Sequence, residues 1–138
     1  MFLSFRRKEQ PWEVVDCKAV NPVLMYSEDD EEAEDLDVHS ISNTVTHGTY
    51  VFDLSYKHGP PERQLQGALS FSQQQLLREV EKKGFNILLV EGWKLTILRR
   101  GKYNRVEVQY SARAAKAEGK IHQHRRPPPF IGVLDSQH

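Results

Sequence analysis

Apolar and polar residues alternate most clearly in the second half of the chain. In Trp93–Leu98 and in Arg105–Ser111, apolar side chains occupy every second position. A period of two predicts strands with one face toward a core and the other toward water. The apolar run Phe85–Val90 precedes them, and Glu91-Gly92 has the composition of a turn. The pattern therefore predicts a three-stranded antiparallel meander in this part of the chain.

The first half contains further strand-like runs that are rich in β-branched and aromatic residues. Trp12–Val20 is one of them, an Asn-Pro pair interrupts it, and Val23–Tyr26 is a short second candidate. Thr44–Lys57 is the next run, and Gly48 leaves open whether it forms one strand or a hairpin of two. Together with the meander, these runs predict five or six strands.

The strongest helix signal covers residues 73–83. Ser72 is a favourable N-cap residue, and Gln75 completes the spacing of a capping box. Gly84 stands where a glycine often ends a helix. The expected fold is therefore α+β, with one principal helix packed on a mainly antiparallel sheet.

Acidic residues dominate the segment between the predicted second and third strands. Ser27–Asp37 contains eight Asp or Glu residues, and such a segment cannot bury enough apolar surface to offset the entropy of ordering it. We predict a disordered acidic loop over residues 27–40. It is interpretable as a solubilising insertion, as a polyanion mimic that masks a basic surface, or as a docking segment for a basic partner.

The domain organisation follows from composition. Residues 1–120 are expected to form a single domain with the acidic insertion, and residues 121–138 a basic, proline-rich C-terminal tail. Cys17 is the single cysteine, so the chain has no intramolecular disulfide. No apolar run approaches the roughly 20 residues of a membrane helix. The expectation is a soluble, intracellular protein of the cytoplasm or nucleus.

Sequence motifs for catalysis are missing, which favours a non-enzymatic role. The chain has no phosphate-binding glycine loop, dinucleotide fingerprint or nucleophile elbow. Asp53, His47, His58 and Glu91 are polar candidates near strand ends and turns, but their pattern assigns none of them a catalytic role. His122 and His124 have the spacing of two strand ligands without a third, so neither a metal site nor a cofactor is predicted.

Positive charge is concentrated in the second half of the chain. Residues 1–60 hold 5 Lys or Arg against 12 Asp or Glu, whereas residues 61–138 hold 14 against 7. Basic residues interleaved with aromatic ones are typical of single-stranded nucleic-acid binding, although solvated basic residues around core aromatics give the same pattern. The candidate contacts are Arg99, Arg100, Lys102, Arg105, Arg113, Lys116, Lys120, Arg125 and Arg126.

A final apolar patch follows the proline run near the C-terminus. It contains Phe130, Ile131, Val133 and Leu134, which could dock on the domain itself or contact a partner. The sequence therefore indicates a non-catalytic protein–protein interaction or assembly module, such as a subunit or adaptor of a larger complex. The alternative is a module that binds RNA or single-stranded DNA through the basic half.

Overall fold

The fold is given by a computed structural model that describes residues 10–26, 36–119 and 126–135. Within these ranges the chain forms four strands and one α-helix. In chain order they are β1 (Glu13–Leu24), β2 (Asp37–Leu54), α1 (Pro61–Glu81), β3 (Ile87–Arg100) and β4 (Tyr103–Glu118). Short 3₁₀ helices occupy Tyr56–His58 and Ile131–Asp135.

The strands form a single antiparallel sheet in the order β1-β3-β4-β2. The α+β class is therefore confirmed. The prediction of five or six strands is wrong, since the described residues form four. The two candidate strands on either side of the Asn-Pro pair are one strand, β1, and the two on either side of Glu91-Gly92 are one strand, β3.

Long-range packing explains why Gly92 lies inside a strand rather than in a turn. A Cβ added to Gly92 would come within 2.9 Å of the Val20 carbonyl oxygen and 2.8 Å of the Pro22 nitrogen. Only glycine permits this close approach of β1, whose register shifts between Val20 and Val23. The glycine therefore serves strand pairing and not chain reversal.

The helix begins at Pro61, so its predicted start at residue 73 is wrong. Proline is favourable in the first turn, where its missing N–H has no helical partner. Ser72 is no cap: it is buried in mid-helix, and its hydroxyl donates to the Ala68 carbonyl at 2.8 Å. The helix ends at Glu81, close to the predicted residue 83, and Gly84 has a φ of +93°.

The core lies between α1 and one face of the sheet. Among its members, Leu69, Leu76 and Val80 from α1 pack in one cluster with Leu95 of β3 and Val108 of β4. We call this side of the sheet the covered face and the other the open face. Strand alternation places the side chains of Lys94, Thr96, Arg105, Glu107 and Gln109 on the open face.

The predicted acidic loop is only partly covered by the described residues. Residues 27–35 lie outside them. Asp37–Ser40 belong to β2 and pair with β4, so the predicted loop end at residue 40 is wrong. Leu36 packs against a second small cluster, formed by Ile87, Leu89, Ala115 and Ala117.

Candidate interaction surfaces

The two edges of the sheet differ in how well they resist pairing with another strand. β1 carries two register shifts, one before Asp16 and one after Val20, and it contains Pro22, which cannot donate a backbone hydrogen bond. Irregularity, charge and proline are the devices by which proteins protect exposed edges. The β1 edge is therefore poorly suited to accept a further strand.

The other edge, formed by β2, has a long section in which these protective features are missing from the strand itself. From Val45 to Leu54 its register with β4 runs without a shift, and no Asp, Glu, Lys or Arg occurs before Asp53. Val51 is 52% exposed on the open face, and Val45 is exposed on the same side. We call Val45–Leu54 the β2 edge. Such a regular, uncharged edge is a template for strand pairing.

An apolar groove runs beside the β2 edge on the covered face. Its floor and walls include Phe52 and Leu54 from β2 and Gly67, Ala68 and Phe71 from α1. The rings of Phe52 and Phe71 meet edge to face, with centroids 5.6 Å apart, and Phe71 remains half exposed. Nothing lies within 4 Å of where a Cβ on Gly67 would sit. We call this feature the α1–β2 groove.

Local interactions at the start of α1 fix the position of this groove. The Gln64 side chain accepts from the Ser55 N–H at 3.1 Å and donates to the carbonyl oxygens of Ser55 and Gly59, each at 2.7 Å. These bonds hold the connection between β2 and α1 and so set the helix against the strand.

A buried polar cluster lies on the covered face, away from the β2 edge. Glu91 is 3% exposed and accepts hydrogen bonds from the Tyr110 hydroxyl at 2.5 Å and from Gln73 Nε2 at 2.7 Å. Burial raises the pKa of Glu91 to about 7, against the lowering effect of the hydrogen bonds from Tyr110 and Gln73. Burial and the neighbouring Glu91 carboxyl also raise the pKa of Tyr110.

The same cluster holds the C-terminal residues on the domain. Gln73 Nε2 also donates to the Arg126 carbonyl at 3.0 Å, and Trp93 Nε1 donates to the Pro129 carbonyl at 2.9 Å. Leu134 is fully buried in the main core. We call residues 126–135 the C-terminal strap. A cavity of about 20 Å³, enough for one water molecule, lies between Glu91, Arg126 and α1.

The apolar residues predicted to contact a partner have different environments. Leu134 lies in the core, and Ile131 packs partly against it. Phe130 is 67% exposed and has a positive φ of 55°, which is unusual for a residue with a side chain. Val133 is in the second 3₁₀ helix. Of the patch residues whose side chains the structure describes, Phe130 is the most exposed.

The basic residues predicted to contact nucleic acid do not form one patch. Arg99, Arg100, Lys102 and Arg105 gather around the β3–β4 hairpin, where Arg99 lies 3.8 Å from a Glu13 carboxylate oxygen. Arg113 is further along β4 and donates to the Ser42 carbonyl at 3.0 Å, and Lys116 is exposed beyond it. Arg126 is on the covered face, 5.5 Å from the Tyr26 ring, and Lys120 and Arg125 are outside the described residues.

The polar candidates of the sequence do not converge. Asp53 lies on β2, 3.6 Å from Arg105, whereas Glu91 is buried on the covered face and His58 lies at the α1–β2 groove. His47 is on β2, opposite Ser111. Within residues 10–26, 36–119 and 126–135, no three His, Cys, Asp or Glu side chains come together as metal ligands, and His122 and His124 are outside that range.

Cys17 is exposed on the open face, with its sulfur 3.8 Å from the Thr96 hydroxyl oxygen. None of the helices in the described part of the chain has the length and apolar character needed to cross a membrane. Comparison of the chain with protein-family models, with curated proteins and with solved structures finds no match.

Proposed function

We propose that this chain is a non-catalytic protein-interaction module that binds an extended segment of a partner as an additional strand at the β2 edge. The observation that carries the proposal is the contrast between the two edges of the sheet. β1 has register shifts, charges and a proline, whereas Val45–Leu54 is regular and uncharged up to Asp53. A strand added at such an edge gains main-chain hydrogen bonds whatever its sequence.

Side chains of the added strand would provide specificity, because they alternate between the two faces of the sheet. Those on the open face would lie beside Val45 and Val51. Those on the covered face would enter the α1–β2 groove, whose lining from Gly67, Ala68 and Phe71 is apolar. The preferred partner segment is therefore extended, uncharged over about five residues, and apolar at the positions facing the groove.

The buried cluster at Glu91 supports a non-catalytic role. Its carboxyl group has a shifted pKa, which often marks a catalytic acid or base. However, the side chain is 3% exposed and both hydrogen-bond donors on it come from the protein. The space beside it is about 20 Å³, which is room for one water molecule. Its chemistry fits a structural carboxyl group that holds Tyr110 and Gln73 in place.

Selection from a displayed peptide library, with the purified chain as bait, tests this proposal. The enriched peptides should alternate apolar residues and lack charges at their centre. Val51→Lys should weaken binding of the selected peptides at least tenfold, because it places an exposed charge where an apolar side chain of the peptide would pack. Val14→Lys is the matched control: Val14 is a 65% exposed strand valine on the β1 edge, and its replacement should leave binding unchanged.

A second variant separates the groove from the edge. Gly67→Leu should fill the α1–β2 groove and abolish the preference for an apolar residue, while weak backbone-driven binding persists. Equal losses in Val51→Lys and Val14→Lys would contradict binding at the β2 edge. A chain that enriches no peptide and purifies from its own cells as a monomer without partners would overturn the proposed function.

A further inference from the structure

The open face of the sheet carries more positive than negative charge. Its cations come from the two central strands and the hairpin that joins them: Lys94, Arg100, Lys102, Arg105 and Arg113. Its described acidic side chains are Glu107 on β4 and Asp53 on β2. The helix α1 lies on the other side of the sheet, so it does not cover these groups.

Aromatic rings accompany the cations at the hairpin end of this face. The Arg105 and Arg100 guanidinium carbons lie 4.0 Å and 4.6 Å from the centre of the Trp12 ring. Tyr103 is an exposed large ring, and Lys102 Nζ lies 5.8 Å from its centre. A guanidinium group stacked on a ring still has N–H donors at its edge, so it can bind a phosphate while it remains stacked.

From this arrangement we propose that the open face binds single-stranded nucleic acid, with the β3–β4 hairpin as its anchor. The phosphates would run along the cations of β3 and β4, and unpaired bases would stack on Tyr103 and beside Trp12. This combination of a basic track and stacking rings is how single strands are held without a sequence code. The site is centred on β3, β4 and their hairpin, beside the β2 edge, and it does not depend on the proposed peptide binding.

Charge complementarity is what selects this ligand. Among the described side chains of this face, five cations against two acids give a net charge of +3 (5 − 2), although the whole chain has a formal net charge of zero. Alternate residues of a strand are about 6.6 Å apart, so Arg105 and Arg113 are separated by roughly 26 Å. Between them lie Gln109 and Ser111, which can hydrogen-bond to sugar or phosphate oxygens.

Asp53 and Ser42 already contact two of these five cations, so those two are less available to a ligand. Asp53 lies 3.6 Å from Arg105, and the Ser42 carbonyl accepts from Arg113. Lys94 is exposed on β3, and Lys102 is exposed in the hairpin turn. These two lysines are therefore the best residues with which to test the surface without disturbing the fold.

Fluorescence anisotropy with labelled 15-mers of U and of dT tests the proposal. Wild-type protein should bind at 50 mM salt. Affinity should fall about 50-fold at 200 mM salt if about four phosphates are contacted, since the slope for single strands is about −0.7 per contact. Lys94→Gln with Lys102→Gln should weaken binding at least tenfold and flatten the slope by about 1.4. Tyr103→Ala should cost about fivefold or more through lost stacking.

Arg63→Gln with Lys83→Gln is the matched control, because it removes two exposed cations from α1 and the turn after it. The control should change affinity less than twofold. Equal losses in the two double variants would overturn the proposal in favour of diffuse charge attraction. Absence of binding at 50 mM salt, equal affinity for duplex, or binding to anionic phosphatidylserine vesicles in place of oligonucleotides would also overturn it.

Val51→Lys keeps the two binding activities distinguishable. This substitution should weaken peptide binding at the β2 edge. It should leave oligonucleotide binding intact or slightly stronger, because it adds a cation to the open face. Loss of both activities in Val51→Lys would contradict the separation of the two surfaces.

Discussion

At the scale of single residues, Glu91 illustrates how burial sets a protonation state. Its pKa is about 7 in the folded chain and 4.5 for an ordinary Glu. The folded state therefore holds the proton more tightly than the unfolded state, and stability from this group is complete below about pH 4.5. That stability is lost as pH rises through 7, because ionisation places a charge among buried groups.

The free energy of unfolding should therefore fall by about 3 kcal/mol between pH 4.5 and pH 8.5 through this group, because its pKa rises from 4.5 to about 7 on folding. Glu91→Gln has no carboxyl proton to lose between these pH values. Its free energy of unfolding should therefore lack this part of the pH-dependent decrease. Urea unfolding of both proteins at the two pH values measures the difference. Parallel pH profiles would contradict the assignment.

A second residue-scale prediction concerns Gly67, which is exposed on α1 and has open space where a Cβ would lie. Glycine inside a helix costs about 0.5–1 kcal/mol relative to alanine. Gly67→Ala should therefore raise the free energy of unfolding by that amount in chemical denaturation. A destabilised variant would mean that the helix packs more closely at this point than the structure indicates.

At the scale of elements, the C-terminal strap offers two large apolar residues in opposite environments. Leu134→Ala should lower the free energy of unfolding by about 2–5 kcal/mol, since it leaves a cavity in the core. Phe130→Ala should change it by less than about 0.5 kcal/mol, because that side chain is mainly in water. Thermal or urea unfolding compares them. Similar small effects in both would mean that the strap does not stay docked.

Elements were predicted well where local pattern decides them and poorly where distant contacts do. The alternation in Trp93–Leu98 and Arg105–Ser111 is a local property, and it correctly predicted these residues as strand. The first half of α1 was missed because Gly67 and Ser72 weaken the helix signal. This half of the helix is stabilised by burial against the sheet, which a local pattern does not show. The number of strands was overestimated because Pro22 and Gly92 resemble breaks between strands. In the structure β1 continues through Pro22 with a register shift, and β3 continues through Gly92, which lies against that part of β1.

The candidate surfaces were predicted less well than the elements. The run containing Val51 was recognised as a strand, but its place at an edge depends on sheet order, which no local pattern encodes. The apolar tail residues looked alike in sequence, yet Leu134 is buried and Phe130 is exposed. The basic residues all lie between Arg99 and Arg126 in the sequence, but alternation and the fold distribute the described ones over two faces.

At the scale of the whole molecule, sheet order predicts the pattern of amide hydrogen exchange. Amides of β3 and β4 pair on both sides, so they should be the slowest to exchange with solvent. Along the β2 edge, alternate amides should exchange faster, because only every second one faces β4. Exchange followed by NMR tests this order. Uniform protection along Val45–Leu54 would reveal that another strand already covers the edge.

The difference between the two edges also limits the valency of any assembly built from this chain. A sheet that can accept strands on both sides can propagate into a filament, because each addition creates a new acceptor. Here the β1 side carries Pro22 and two register shifts, so pairing at β2 consumes the receptive side. Two copies paired through their β2 edges would leave β1 at both outer edges of the joined sheet, so assembly of this chain by strand pairing should stop at two molecules and not continue into a filament.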